Sequence, residues 1–174
     1  MHPGNGLRLS LALGVVAFAL DRLHKYLTIE MLHWPPGYTR PLLPFLDLTL
    51  IYNTGVSYGL LSALPFLAVA AVVAVALVAL IVWWARSSSA LVRAGLAICI
   101  GGAASNALDR LIYPGVADFF WLHFGDLSLF VFNVADAAIS VGVVMLILVQ
   151  RKDAQRLESA QLKKEGAPVD SPQP

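Results

Sequence analysis

Apolar residues gather along the chain into four stretches, each long enough to cross a hydrocarbon core that takes about 20 residues of helix. They run Leu7–Ile29, Leu64–Ala85, Leu91–Ile112 and Leu127–Val149. An even number of spans places both termini on one side of a membrane. Between the first two, Trp34-Pro35-Pro36-Gly37 stops a helix, and Leu48-Thr49-Leu50-Ile51-Tyr52 has the β-branched and aromatic content of a strand. A short sheet is expected there, lying on the outer membrane surface. Asn53-Thr54-Gly55 reads as a turn, and Val56–Gly59 as either a returning strand or the entry to the second helix. The expected fold is membrane all-α: a four-transmembrane-helix bundle with a small extracytoplasmic β-cradle between the first two helices, over residues 1–151. From Lys152 to Pro174 the chain turns charged and Gln-, Pro- and Gly-containing, which reads as a solvated, disordered cytoplasmic tail.

Composition makes lipid the expected solvent. Of 174 residues, 58% are hydrophobic and 13% charged, and mean hydropathy is +0.72, outside the soluble globular range. A net charge of +1, with no basic patch interleaved with aromatics, sets nucleic acid aside as a partner. Cys99 is the sole cysteine, which excludes an intramolecular disulfide and a cysteine-based metal cluster, and it reads as a small packing residue. Basic residues give the orientation. With cytoplasmic termini, Arg8, Arg86, Arg93, Arg151, Lys152, Arg156, Lys163 and Lys164 lie inside, against Arg22, Lys25, Arg40 and Arg110 outside. Arg8 and the apolar run ending in Ala17-Phe18-Ala19 also have the form of a cleavable leader, an alternative that would detach Asp21 and Lys25 from their helix.

Ionised groups are expensive in hydrocarbon, so carboxylates in or beside the spans are functional candidates. Asp21 lies in the outer part of the first span, Asp109 near the outer end of the third, and Asp118 just beyond it. With a fourth helix from Leu127, Asp136 is expected roughly 14 Å along it. Asp21 and Lys25 stand four apart and can pair on one helix face. On the third helix Gly102, Ser105, Asn106, Asp109 and Arg110 form one polar stripe; on the fourth Asn133, Asp136 and Ser140 share a face. The run Gly101–Ser105 also permits close helix approach. Two inward stripes define an interhelical site near the outer leaflet. Two carboxylates held close cannot both ionise cheaply, so one keeps a proton. The ionised one can activate water while its protonated partner polarises a peptide carbonyl.

Several segments resemble the motifs of the lipoprotein signal peptidase, or signal peptidase II, family. They are Asp21-Arg22-Leu23-His24-Lys25, Asn53–Gly59, Gly101–Arg110 continuing to Gly115-Val116-Ala117-Asp118-Phe119, and Phe132-Asn133-Val134-Ala135-Asp136. All stand in family order, and the resemblance runs from about Asp21 to Gly142. It implies an intramembrane aspartic peptidase of the bacterial cytoplasmic membrane, without cofactor or metal, whose catalytic pair is Asp118 and Asp136. Spacing alone does not choose these over Asp109. The resemblance gives Asp21, Lys25, Asn53, Gly55, Asn106, Asp109, Arg110, Asn133 and Ala135 structural or substrate-binding roles. The implied substrate is a prolipoprotein whose cysteine carries diacylglycerol, cleaved N-terminal to that cysteine, with membrane lipid around it. Ser105 departs from the family's usual glycine and adds a methylene and a hydroxyl at a tight helix contact; Ala117 stands for a common valine.

Three rivals remain on the residues. Ser57 with Lys25 has the makings of a serine-lysine peptidase. The histidines form no His-x-x-x-His pair or H-E-x-x-H helix, which disfavours a metalloenzyme. Asp and Asn stripes also line ion pathways, so a small ion- or proton-coupled transporter is the non-catalytic alternative.

Overall fold

A computed structural model describes residues 3–54 and 66–165. Helix α1 (Pro3–Lys25) passes into a π-helical turn (Tyr26–Met31), followed by strands β1 (Thr39–Leu43) and β2 (Leu46–Asn53). Helices α2 (Phe66–Arg86) and α3 (Ala90–Ile112), strands β3 (Val116–Phe124) and β4 (Leu127–Phe132), and helix α4 (Val134–Glu165) complete the order. Among the described residues three segments are long and apolar enough to cross a membrane: Leu67–Arg86, Ala90–Ile112 and Val134–Ala160. Helix α1 matches them in length but carries Arg8, Asp21, Arg22 and Lys25. It runs unbroken through Ala17-Phe18-Ala19.

Helix α3 is the axis of the bundle, with α1 and α4 packed along it. Its sequence explains why. Polar and small residues concentrate on it, and Gly101, Gly102, Ser105, Asn106 and Asp109 are all buried. A Cβ at Gly102 would lie 2.6 Å from the Ala135 carbonyl oxygen, and one at Gly142 would lie 2.6 Å from that of Gly95. Only glycine lets α3 and α4 approach so closely, which is how small residues drive helix association in lipid. By contrast α2 exposes apolar side chains along its length, including Leu67, Val72, Val75 and Val78, as a lipid-facing helix does.

The four strands form one antiparallel sheet in the order β1-β2-β3-β4. This corrects two expectations. The sheet is not confined to the connection between the first two helices, because half of it comes from the α3–α4 connection. Residues Leu127–Phe132 belong to a strand, so α4 begins at Val134 and Asp136 sits in its first turn. Leu-Ser-Leu-Phe-Val-Phe is as apolar as a span, but its aromatic content suits a pleated surface. The Gly125 turn, at φ 55°, folds it back on β3. Leu50, Ala117 and Phe119 form the core beneath the sheet, with Ile29, Trp34, Tyr52, Tyr113 and Phe120 around them.

Helix α4 runs on to Glu165, into the segment expected as a tail. Residues 152–165 contain no glycine or proline and are rich in Ala, Gln, Leu, Lys and Glu, all strong helix formers. Residues 166–174 lie outside the described residues, as do Gly55, Ser57 and the segment Val56–Gly59.

Candidate active site

The site begins with the end of the α3–α4 connection. Asn133 precedes α4, its side-chain oxygen accepts from the Asp136 backbone N–H at 2.9 Å, and Asp136 Oδ2 accepts from the Asn133 backbone N–H at 3.1 Å. This is a reciprocal capping box, satisfying two orphan donors at the helix start. The spacing Asn-x-x-Asp carries that signal in the sequence. An apolar run read through Leu127 hid it.

With its oxygen committed to the cap, the Asn133 amide nitrogen faces the other way. It donates to Asp118 Oδ1 at 2.7 Å, with Asn106 Oδ1 at 3.0 Å and the Ala117 carbonyl at 3.3 Å also in reach. One residue therefore touches both carboxylates, Asp118 through its side-chain amide and Asp136 through its backbone N–H. Asn53, at the end of β2, donates to Asp118 Oδ2 at 3.3 Å. Its backbone lies against Gly115, where a Cβ would come within 2.5 Å of the Asn53 carbonyl oxygen. Asn106 on α3 donates to Asp136 Oδ1 at 2.8 Å. Asp118 and Asp136 line one cavity of about 210 Å³, together with Asn53, Asn106, Arg110 and apolar side chains of α2 such as Val73 and Leu77. A larger cavity of about 340 Å³, between α1, α2 and α3, is lined by apolar residues and glycine and holds no ionisable group.

Burial, and after it the negative charge of Asp136, pushes the Asp118 carboxyl up to about 7, against hydrogen bonds from Asn53 and Asn133 and the charge of Lys25. Such an environment keeps a carboxylic acid neutral near physiological pH. The pair can thus offer an acid and a base together.

Behind the cavity lies a second cluster, in which Asp21, Lys25 and Asp109 are buried. Lys25 Nζ stands 2.7 Å from Asp21 Oδ2 and 2.5 Å from Asp109 Oδ2, and it also donates to Asn106 Oδ1 at 3.2 Å. Arg22 bonds Asp109 Oδ1. Because Asn106 Oδ1 accepts from Lys25, its amide nitrogen is turned to Asp136. Asp21 Oδ1 accepts from the Ala135 backbone N–H at 2.9 Å, and Asp109 Oδ2 from that of Ala117 at 3.1 Å. Each of these carboxylates fixes the residue just before one of the cavity's aspartates. Arg110 donates to the Asn106 carbonyl at 3.0 Å and lines the cavity.

Asp21, Lys25, Asn53, Asn106, Asp109, Arg110, Asn133 and Ala135 thus converge with Asp118 and Asp136. Ser140, expected on the same face as Asp136, is exposed and bonds the Asp136 carbonyl instead. Ser105 is a further member: it is wholly buried and donates to Asp21 Oδ2 at 2.6 Å. The tight contact expected at this position accommodates the side chain. Lys25 contacts two carboxylates, and Ser57 of the serine-lysine alternative lies outside the described residues.

Helices apolar and long enough to cross a membrane, a small antiparallel sheet and a cavity lined by Asp118 and Asp136 define the class of this protein as a membrane protein with a polar interhelical site. Two solved bacterial membrane enzymes have this fold: one superposes with a TM-score of 0.72 at 24% identity over 84% of this chain and 90% of that one. The other has a TM-score of 0.69 at 22% identity over 83% and 93%. The chain belongs to the signal peptidase (SPase) II family, whose model matches residues 13–151. A lipoprotein signal peptidase of Rhodopseudomonas palustris is 42% identical over 148 residues, covering 81% of this chain and 90% of that protein. One of Methylorubrum extorquens is 45% identical over 128 residues, covering 72% and 75%, and one of Coxiella burnetii 40% over 141 residues, covering 78% and 85%.

Proposed function

We propose that this chain removes signal peptides from diacylglyceryl-modified prolipoproteins as an aspartic endopeptidase, cutting N-terminal to the lipidated cysteine. The observation that carries this reading is the shared cavity of Asp118 and Asp136, with Asn133 bonded to both. The ionised carboxylate takes a proton from water as that oxygen attacks the scissile carbonyl. Its protonated partner donates to the carbonyl oxygen, then the pair returns a proton to the leaving amine. No covalent intermediate arises.

All four helices cross the bilayer on this reading, both termini are cytoplasmic, and the sheet lies at the outer leaflet of the bacterial cytoplasmic membrane. The signal-peptide helix and the acyl chains of the substrate enter laterally from lipid, between apolar walls such as Val73 and Leu77 of α2. Burial of Asp21 and Lys25 against α3 is what makes the charged end of α1 compatible with lipid. The fold and the family leave nothing that favours the transporter alternative.

The test is cleavage of a diacylglyceryl-modified prolipoprotein by the purified protein and by its Asp118→Asn and Asp136→Asn variants. Both variants should remain folded and lose activity by at least about 10³-fold. Substantial cleavage by either would remove the dyad.

A further inference from the structure

We propose that Ser105 is a positioning residue of this site: its hydroxyl, donated to Asp21, holds the first turn of α4 and with it Asp136. The inference rests on the reading that Asp136 is one half of the working pair.

Three observations lead there. Asp21, from α1, is wholly buried, and its two oxygens are divided between tasks. Oδ1 accepts the Ala135 backbone N–H at 2.9 Å, while Oδ2 accepts Lys25 at 2.7 Å and Ser105 at 2.6 Å. Ala135 is the second residue of α4 and the immediate neighbour of Asp136, so Asp21 is a cap supplied by another helix. Lys25 alone does not fix the orientation of that cap, since it also stands 2.5 Å from Asp109 and bonds Asn106. A flexible ammonium shared among three acceptors pulls in three directions. The Ser105 hydroxyl has one acceptor, leaves from a rigid helix, and is buried with Asp21, so its bond to Oδ2 sets the rotation of the carboxylate and the aim of Oδ1.

Backbone contact points the same way. Gly102, one turn before Ser105 on the same face of α3, lies against the Ala135 carbonyl, closely enough that a Cβ would come within 2.6 Å. Ala135 is therefore gripped at its carbonyl by the α3 backbone and at its N–H by Asp21. Removing the hydroxyl loosens the second grip alone. The charges of the site stay as they were.

The test uses four variants of the full-length protein in detergent, assayed on a diacylglyceryl-modified prolipoprotein. Ser105→Ala should lower kcat about 10-fold while KM stays within about 2-fold, because binding groups are untouched and Asp136 is misplaced. Thr and Val have the same shape and differ by a hydroxyl, so Ser105→Thr should keep kcat within about 3-fold of wild type and Ser105→Val should fall with Ala. Amide hydrogen exchange gives a readout independent of substrate. The Ala135 N–H should exchange about 10-fold faster in the Ala and Val variants and at the wild-type rate in Thr. Should the larger side chains prevent folding, the Ser105→Ala comparison and its exchange rates decide alone. Wild-type kcat in Ser105→Ala, equal losses in the Thr and Val variants, or unchanged Ala135 exchange would each overturn the proposal. The fourth variant, Asp118→Asn, separates the two readings: retained cleavage there removes the dyad, and the exchange rates still judge the Ser105 contact.

Discussion

Asn133 ties helix start to chemistry in one residue. Its carbonyl oxygen caps α4 and its amide nitrogen reaches Asp118, so the cap fixes which way the amide faces. Replacing Asn133 by Ala removes both functions. Loss of the cap should cost about 1 kcal/mol of stability, and loss of the bridge about 10²-fold in kcat. Unfolding in detergent and initial rates measure the two separately. Asp118 gives a pH prediction with a definite sign. Its carboxyl titrates near 7 in the folded protein against 3.8 ordinarily, so between these values the folded state holds a proton that the unfolded chain has released. Stability from this group therefore falls as pH rises through that window and stays low above it. Asp118→Asn, which cannot ionise, should unfold at a higher temperature than wild type at pH 8, and the gap should close near pH 4. A constant gap across pH would mean that burial does not penalise this charge.

Elements meet here through small residues and short strands. Gly102 allows the backbones of α3 and α4 to touch just behind Asp136, and Gly115 allows Asn53 to lie beside β3. Gly102→Val should push α4 outward, destabilising the protein by about 1–3 kcal/mol and lowering kcat more than it raises KM. A variant with wild-type stability would show that the two helices have room to spare. How much of this the sequence foretold differs from element to element. The span Leu91–Ile112 is nearly the helix found, since a polar stripe on an apolar helix marks both its length and its inner face. The fourth stretch failed at its start. Apolar content alone does not separate a buried strand from a membrane helix, and the turn at Gly125-Asp126 and the cap at Asn133 were the local signals that decide it. Helix α4 runs on into the expected tail, where the helix propensity of the residues outweighs their run of charge.

For the molecule as a whole, Lys25 is the joint. It contacts two carboxylates and an amide drawn from α1 and α3, and through Asp21 and Asn106 it reaches two neighbouring residues in the first turn of α4, Ala135 and Asp136. Taking away one partner of a buried ionic cluster leaves uncompensated charge. Lys25→Met should therefore destabilise the protein by about 3–5 kcal/mol, and a second change, Asp109→Asn, should restore part of the loss. Equal unfolding of the single and double variants would show that the two do not interact.

The sequence by itself determined the solvent, the apolar helices and the identities of the ionisable groups, because each follows from local composition and spacing. It also paired Asp21 with Lys25, four residues apart on one helix. Only the tertiary structure decided that Asp118 would arrive on a strand beside Asp136, that the asparagine capping the helix of Asp136 would also reach Asp118, and that Ser105 would find Asp21. Asn133 and Asp118 stand 15 positions apart, and Ser105 and Asp21 stand 84 apart. No local pattern encodes them: they exist because glycine-lined helices pack closely enough in lipid for buried polar groups to need one another.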